Sequence, residues 1–169
     1  PLTPVQHWFF EHDLPNPHHW NQSVLLEMRR AIDPVLLEKV FRHLFAHHDA
    51  LRLRFTCSES VWTQFNAAVE DALPFSARDL STLSDCEQEA AVAAAELQTS
   101  LNISTGRVLR AAYFDFGPDQ PGKLLLVIHH LVVDGISWRI LLEDLLTAYE
   151  QLSRGEQGRL ATALVVRED

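Results

Sequence analysis

The stretch His129–Trp138, with the sequence HHLVVDGISW, constrains this chain more than any other part. The apolar run Leu124–Ile128 precedes it, and an apolar repeat with helical spacing begins at Ile136. The first run predicts a buried strand and the second predicts a helix. Two imidazoles therefore stand where a strand ends and a helix begins, which is a common position for ligand binding in open α/β folds.

Composition narrows the class of protein. The chain has 169 residues, of which 47% are hydrophobic, and this predicts one soluble domain with its own core. A net charge of -9 without a Lys/Arg cluster argues against nucleic acid and membrane as partners. The two cysteines, Cys57 and Cys86, lack metal-like or redox spacing and indicate reduced thiols. With no visible secretory signal, these features predict a cytoplasmic protein.

Capping patterns and apolar periodicity predict four helices and about five strands. The helices are expected from Pro4 to before Pro15, after the Asp33 cap, from a capping box at 84–87 to about Leu101, and from about Ile136 to Leu152. The strands are expected at 21–28, 51–55, 61–65, 106–114 and 123–130, with 66–83 irregular. This mixed order of elements predicts an α/β fold, a two-layer sandwich with a mixed β-sheet.

His43 and His47 lie four residues apart on the second predicted helix, which is the spacing of a zinc-binding helix. The residue after His43 is Leu44 rather than glutamate, and the sequence places no third ligand nearby. The two histidines are therefore interpreted as part of a solvated helix face, and no metal site is predicted.

Three interpretations of His129 and His130 remain open from spacing alone. His130 can serve as a general base, because the ordinary pKa of histidine is close to working pH. Alternatively, both histidines are metal ligands, or both are core histidines with satisfied hydrogen bonds. Gly135, in the same turn, allows a backbone angle that other residues resist.

Asp134 lies four residues after His130 and is the nearest acidic residue along the chain. A buried Asp134 would need a cationic partner, because an unpaired buried carboxylate is costly. Arg52 and Arg54 are the candidates, since both project from one face of a predicted neighbouring strand. An ion pair between Asp134 and one of these arginines is therefore predicted.

Four stretches resemble, in order and spacing, motifs of one known family. They are Pro4–Phe9 (PxQxWF), Trp20–Ser23 near the first strand, His48–Phe55 (RHExLRxxF) and His129–Trp138 (HHxxxDG followed by Ser-Trp). Together they resemble the epimerization domains of non-ribosomal peptide synthetases, a branch of the condensation superfamily. The resemblance covers residues 1–156, the length of an N-terminal lobe, and leaves 157–169 as a tail without family resemblance.

The resemblance implies a chloramphenicol acetyltransferase-like lobe whose active site faces a channel shared with a second lobe. His130 is then the acid/base, with His129 as the other catalytic candidate. Asp134 and Gly135 are structural, and Asp134 pairs with Arg52. The candidates for the substrate channel are Trp138, Ser137 and Asn21.

The implied reaction interconverts L and D configuration at Cα of an aminoacyl or peptidyl thioester. The substrate hangs on the phosphopantetheine arm of a carrier protein, and the domain carries no cofactor of its own. The family places a glutamate on the opposite face of the substrate, in a C-terminal lobe that this sequence lacks. The partners implied are therefore a peptidyl carrier protein and the missing lobe or a second copy of this chain.

Two other functions remain alternatives. One is a fragment of a condensation domain that forms peptide bonds, although the Ser-Trp pair at 137–138 and the opening motif speak against it. The other is a non-catalytic lobe for carrier binding or assembly. A lone lobe exposes the face that its partner covers, and a large apolar patch favours association, so a homodimer is predicted.

Overall fold

The computed structural model describes residues 1–69, 73–156 and 158–160. The helices are α1 (Pro4–Glu11), α2 (Pro34–His47), α3 (Cys86–Thr99) and α4 (Gly135–Ser153), with 3-10 turns at Pro17–His19 and Asp49–Arg52. The strands are β1 (Asn21–Met28), β2 (Leu53–Ser58), β3 (Val61–Asn66), β4 (Phe75–Asp79), β5 (Leu109–Asp115) and β6 (Gly122–His129).

The main sheet has four strands in the order β1-β6-β5-β4. β6 pairs with β1 and β5 in antiparallel fashion, whereas β4 pairs with β5 in parallel. The strands β2 and β3 form a separate antiparallel hairpin. The predicted α/β fold with a mixed sheet is therefore confirmed, and the strand that leads into His129 lies inside the sheet.

Both faces of β6 are covered. Leu124, Leu126 and Ile128 belong to the core cluster that also contains the apolar faces of α2 and α4. Leu125 and Val127 point the other way, into a second cluster with the alanines of α3. Because alternate residues of a strand face opposite sides, burial on both sides requires the continuous apolar run seen in the sequence.

Two helix starts follow the sequence prediction. The hydroxyl of Thr3 accepts a hydrogen bond from the backbone N–H of Gln6, and the Gln6 side chain accepts one from the backbone N–H of Thr3. Asp33 caps α2 by accepting a hydrogen bond from the N–H of Val35, at 2.9 Å. Each cap satisfies backbone donors that the first helical turn leaves without an intrahelical partner.

Several sequence expectations were wrong at element boundaries. The capping box at 84–87 does not form, because Asp85 precedes α3 without a side-chain hydrogen bond. The strand expected from Leu51 begins at Leu53, after a 3-10 turn. The strand expected from Gly106 begins at Leu109, since Arg107 forms an isolated bridge with Asn102.

The segment 66–83 was expected to be irregular, yet it contains β4. Four of the five residues of this edge strand are exposed, so its sequence lacks the alternation that marks a half-buried strand. Its pairing with β5 is set by tertiary contacts rather than by its own pattern. None of the described helices is long and apolar enough to cross a membrane. The predicted tail at 157–169 lies mostly outside the described residues, which there include only 158–160.

Candidate functional site

The turn after β6 is fixed by backbone hydrogen bonds to three neighbouring segments. The N–H of His129 donates to the carbonyl of Val108, and the N–H of His130 donates to the carbonyl of Trp20, both at 2.8 Å. The Gln6 side chain of α1 donates to the carbonyl of Leu131 at 3.4 Å. These contacts hold the two histidines where β1, β6 and α4 meet.

His129 has no exposed surface, and both of its ring nitrogens are engaged. Nε2 lies 2.7 Å from the carbonyl oxygen of Pro17, which only accepts, so Nε2 carries the proton. Nδ1 lies 3.2 Å from the backbone nitrogen of Leu131, whose N–H donates to it. Burial lowers the pKa of His129 to about 4, so the ring is neutral near pH 7.

These contacts correct the assignment of His129 as a catalytic candidate. Neither nitrogen is available to a substrate proton, and neither is available to a metal ion. The interpretation of His129 and His130 as a pair of metal ligands is therefore wrong. His129 is a structural histidine that ties the turn to the 3-10 segment at Pro17–His19.

His130 is half-buried, and its ring lies 4.6 Å from the ring of Trp20 between centroids. Its Nδ1 is 2.8 Å from the carbonyl oxygen of Val133, an acceptor, so Nδ1 carries the proton. This leaves a lone pair on Nε2, which is the feature a general base needs. A hydrogen bond that fixes one tautomer and one ring orientation is also what such a base requires.

Gln22 lies beside His130 and was not singled out from the sequence. Its Nε2 lies 3.3 Å from His130 Nε2, and its Oε1 accepts a hydrogen bond from the indole N–H of Trp138 at 2.7 Å. The available signal was the side-chain alternation of β1, which places Gln22 on the face opposite its neighbours Asn21 and Ser23.

Asp134 is exposed and serves as the N-cap of α4. Its Oδ1 accepts hydrogen bonds from the backbone N–H and the hydroxyl of Ser137, both at 2.7 Å. These bonds hold the pKa of the Asp134 carboxyl below its ordinary value. Gly135 then opens the helix without a positive φ, and an added Cβ would meet no atom within 4 Å. The additional backbone freedom that glycine allows at position 135 is therefore not used in this structure.

The predicted ion pair between Asp134 and Arg52 is also wrong. The guanidinium of Arg52 donates to the carbonyl oxygens of Phe45, Ala46 and Ala67 and to the carboxylate of Asp49. It closes the C-terminal end of α2 instead of reaching α4. The prediction failed because it assumed a buried Asp134, whereas capping lets that carboxylate stay in solvent.

The three candidates for the substrate channel have different hydrogen-bond partners in the structure. Asn21 donates its side-chain amide to the carbonyl of Gln98 on α3, at 3.2 Å. Ser137 is engaged with the Asp134 cap. Of the three, Trp138 is the one joined to His130, through Gln22. Phe9 of α1 stacks on Trp20 with 4.7 Å between ring centroids, and Trp20 in turn lies against the ring of His130.

A second group of ionisable residues lies between α2 and α4. His47, His48 and Asp144 place one potential ligand atom each within 4.8 Å of one another. His48 Nε2 lies 3.1 Å from Asp144 Oδ2, and both residues are buried. Burial lowers the pKa of His48 to about 4 and raises that of Asp144. The interpretation of His43 and His47 as a solvated face holds only in part, because both residues are half-buried. The pair of His48 with Asp144 connects the C-terminal end of α2 to α4.

A double-mutant cycle tests the correction of the Arg52 contact. Arg52→Ala is expected to lower the free energy of unfolding by about 2–3 kcal/mol, because a charged donor to several carbonyls is removed. Asp134→Ala is expected to lower it by about 1 kcal/mol, the usual cost of a lost N-cap. Denaturant unfolding of the double variant should show additive effects within about 0.5 kcal/mol. A coupling energy above about 1 kcal/mol would instead support the ion pair between Arg52 and Asp134.

Comparison with known proteins places this geometry in a family. A family model for the condensation domain matches residues 1–163, so the match continues beyond residue 156. The chain belongs to the condensation-domain family. It is 50% identical over 164 residues to a linear gramicidin synthase protein of Brevibacillus parabrevis, covering 95% of this chain and 2% of that protein. It is 44% identical over 151 residues to gramicidin S synthase 1 of Brevibacillus brevis, covering 89% of this chain and 14% of that protein.

Solved structures of condensation-family domains give the same result. The epimerization domain from the third module of tyrocidine synthetase B is 34% identical, with a TM-score of 0.88, over 96% of this chain and 37% of that one. The first condensation domain of the calcium-dependent antibiotic synthetase is 23% identical, with a TM-score of 0.83, over 96% of this chain and 40% of that one. The second likeness shows the shared fold, whereas the first confirms the resemblance to epimerization domains of non-ribosomal peptide synthetases.

Proposed function

We propose that this chain is the N-terminal lobe of an epimerization domain, with His130 as its acid/base. The observation that supports this is the state of the His130 ring. Nδ1–H donates a hydrogen bond to the Val133 carbonyl, so the lone pair lies on Nε2, beside the Gln22 amide, in a half-buried ring next to Trp20. The 34% identity to a tyrocidine synthetase epimerization domain favours this function over condensation.

The proposed reaction is proton exchange at Cα of an aminoacyl or peptidyl thioester. His130 Nε2 takes the Cα proton, and the electron pair of the C–H bond moves into the thioester carbonyl to form an enolate. Return of a proton to the other face of Cα inverts the configuration, and return to the same face restores it. This lobe supplies one base. The resemblance to epimerization domains assigns the group on the opposite face of the substrate to the second lobe.

The proposed partner is a peptidyl carrier protein, whose phosphopantetheine arm delivers the thioester. The chain then needs no cofactor of its own, since the thioester acidifies Cα and histidine moves the proton. The chain spans only 37% of the epimerization-domain structure that it matches. A second candidate is a non-catalytic lobe that binds a carrier protein or takes part in assembly.

One experiment separates the two candidates. The folded chain is mixed with a carrier protein loaded with an L-aminoacyl thioester in deuterated buffer, and Cα deuterium is measured by mass spectrometry. Exchange above that of the loaded carrier protein alone supports the acid/base function. Exchange equal to that background, with a cooperatively folded chain, supports the non-catalytic candidate.

A homodimer is the proposed arrangement for the isolated chain, with a second copy in the place of the second lobe. Large apolar side chains remain exposed near the site, including Trp8 at 49% and Ile136 at 68%. Burial of such side chains favours association. Light scattering is expected to show a dimer that forms with rising concentration. A strict monomer at high concentration would contradict this arrangement.

A further inference from the structure

We propose that Gln22 is a positioning residue for His130, and that Trp138 holds the Gln22 amide in the one orientation that serves it. The proposal rests on the proposed acid/base function of His130 for its role in the reaction. The part of the proposal that concerns the hydrogen bonds among Trp138, Gln22 and His130 does not depend on that function. The four groups involved come from β1, the turn after β6 and the first turns of α4.

The first step is the direction of the hydrogen bonds. An indole N–H can only donate, so the Gln22 atom that faces Trp138 Nε1 at 2.7 Å is the carbonyl oxygen Oε1. The amide nitrogen of Gln22 must then face His130, where it lies 3.3 Å from Nε2. Since the amide nitrogen only donates, His130 Nε2 must be the acceptor.

The second step starts from the Val133 end of the same series of hydrogen bonds. The Val133 carbonyl can only accept, so His130 Nδ1, at 2.8 Å from it, carries the ring proton. Both ends therefore demand the same tautomer of His130. The orientation of a side-chain amide and the tautomer of an imidazole are each ambiguous when considered alone. Here the Trp138 N–H can only donate and the Val133 carbonyl can only accept, so a single arrangement of Gln22 and His130 satisfies all the hydrogen bonds.

The third step is the consequence for a general base. The amide N–H of Gln22 keeps the basic lone pair on Nε2, and together with the bond from Nδ1 to the Val133 carbonyl it fixes the ring at both nitrogens. The contact is long and half-exposed, so a substrate Cα–H can replace it at Nε2. If Trp138 were unable to donate, the Gln22 amide could rotate and offer Oε1. This would favour a proton on Nε2 in competition with the Val133 carbonyl, which favours Nδ1–H, and would lower the share of rings with a lone pair at Nε2.

His129 offers a contrast within the same chain. Its proton lies on Nε2, facing Pro17, and its Nδ1 accepts from Leu131. The two adjacent histidines therefore hold opposite tautomers, and both states can be observed in a single spectrum. His129 serves as an internal reference that the variants below should leave unchanged.

The test is nitrogen NMR of the imidazole rings in the folded chain labelled with 15N-histidine, near pH 7.5. We expect His130 to show the Nδ1–H tautomer and His129 the Nε2–H tautomer. Trp138→Phe keeps an aromatic ring but removes the N–H, and it should give His130 a measurable Nε2–H population. Gln22→Leu should keep the proton on Nδ1 and shift the 15N resonance of Nε2 toward that of an unprotonated ring nitrogen that accepts no hydrogen bond.

Trp62→Phe is the matched control, because Trp62 stacks on Phe10 and allows the same substitution away from His130. It should leave both tautomers unchanged. Cα exchange should fall about 10- to 100-fold in Trp138→Phe, as for other partners that orient a reactive group, and stay near normal in Trp62→Phe.

Each outcome decides something separate. An unchanged His130 tautomer in a folded Trp138→Phe variant would overturn the proposal, whatever the activity. A changed tautomer together with no exchange in the unaltered chain would support the positioning role and count against the proposed acid/base function. A changed tautomer with full exchange activity would overturn the catalytic part of the proposal.

Discussion

His130→Ala is expected to lower Cα deuterium exchange by at least about 100-fold, because general acid–base groups commonly contribute 10²- to 10⁴-fold. The substitution removes the Nε2 lone pair that is proposed to take the Cα proton. It also removes the hydrogen bond to the Val133 carbonyl, which costs about 1 kcal/mol of stability and leaves the fold intact. Mass spectrometry of the aminoacyl carrier protein measures the exchange, and circular dichroism confirms folding.

His7→Ala is the matched control for this experiment, since His7 is an exposed histidine of α1. It should exchange Cα hydrogen at the rate of the unaltered chain. His129→Ala is an unsuitable control because His129 is fully buried and anchors the turn. If His130→Ala kept more than half of the exchange, the acid/base role of His130 would be wrong.

Acidification is expected to lower the free energy of unfolding by about 3 kcal/mol per buried neutral histidine between pH 7.5 and pH 4. His129 is the clearest case, because burial lowers its pKa from 6.5 to about 4. Over this range the unfolded chain binds a proton that the native chain does not bind. The stability is therefore complete above pH 6.5 and is lost as the pH falls toward 4.

Two other groups in the second buried cluster titrate in the same range. His48, with a pKa lowered to about 4, adds to the loss on acidification. The raised pKa of Asp144 acts in the opposite sense, because its native form binds a proton more readily than its unfolded form. Its contribution to stability is present at low pH and is lost as the pH rises through its native pKa.

A variant isolates the part that belongs to His129. His129→Gln is expected to be less stable at pH 7.5 and to lose about one proton from the pH dependence measured by denaturant unfolding. His7→Gln, at an exposed position, should leave that dependence unchanged. An equally steep dependence in His129→Gln would show that another group causes the acid sensitivity.

The elements that sequence patterns predicted well are those whose signals are local. The Thr3 capping box, the Asp33 cap and the apolar run of β6 all appear where they were expected. Capping depends on residues two or three positions apart, and a strand buried on both faces must be apolar throughout. β4 was missed because an exposed edge strand has no such pattern, and each of its residues pairs with one in β5 that lies 36 positions later in the sequence.

The errors at the site have one common cause, which is that spacing does not determine which partner a polar group finds. Asp134 was expected to be buried and paired with Arg52, yet it caps its own helix. Local hydrogen bonds satisfied groups for which long-range partners had been proposed.

The sequence alone determined that two histidines end a buried strand before a helix, and that the chain has a mixed α/β fold. Local propensity and hydrophobic pattern carry that information. Only the tertiary structure decided that both nitrogens of fully buried His129 are bonded to the backbone and that Nε2 of half-buried His130 lies beside Gln22, because Pro17 and Gln22 are far from the turn in the sequence. Hydrogen bonds across β1, β6 and α4 assign opposite tautomers to adjacent identical residues, and no sequence pattern encodes that difference.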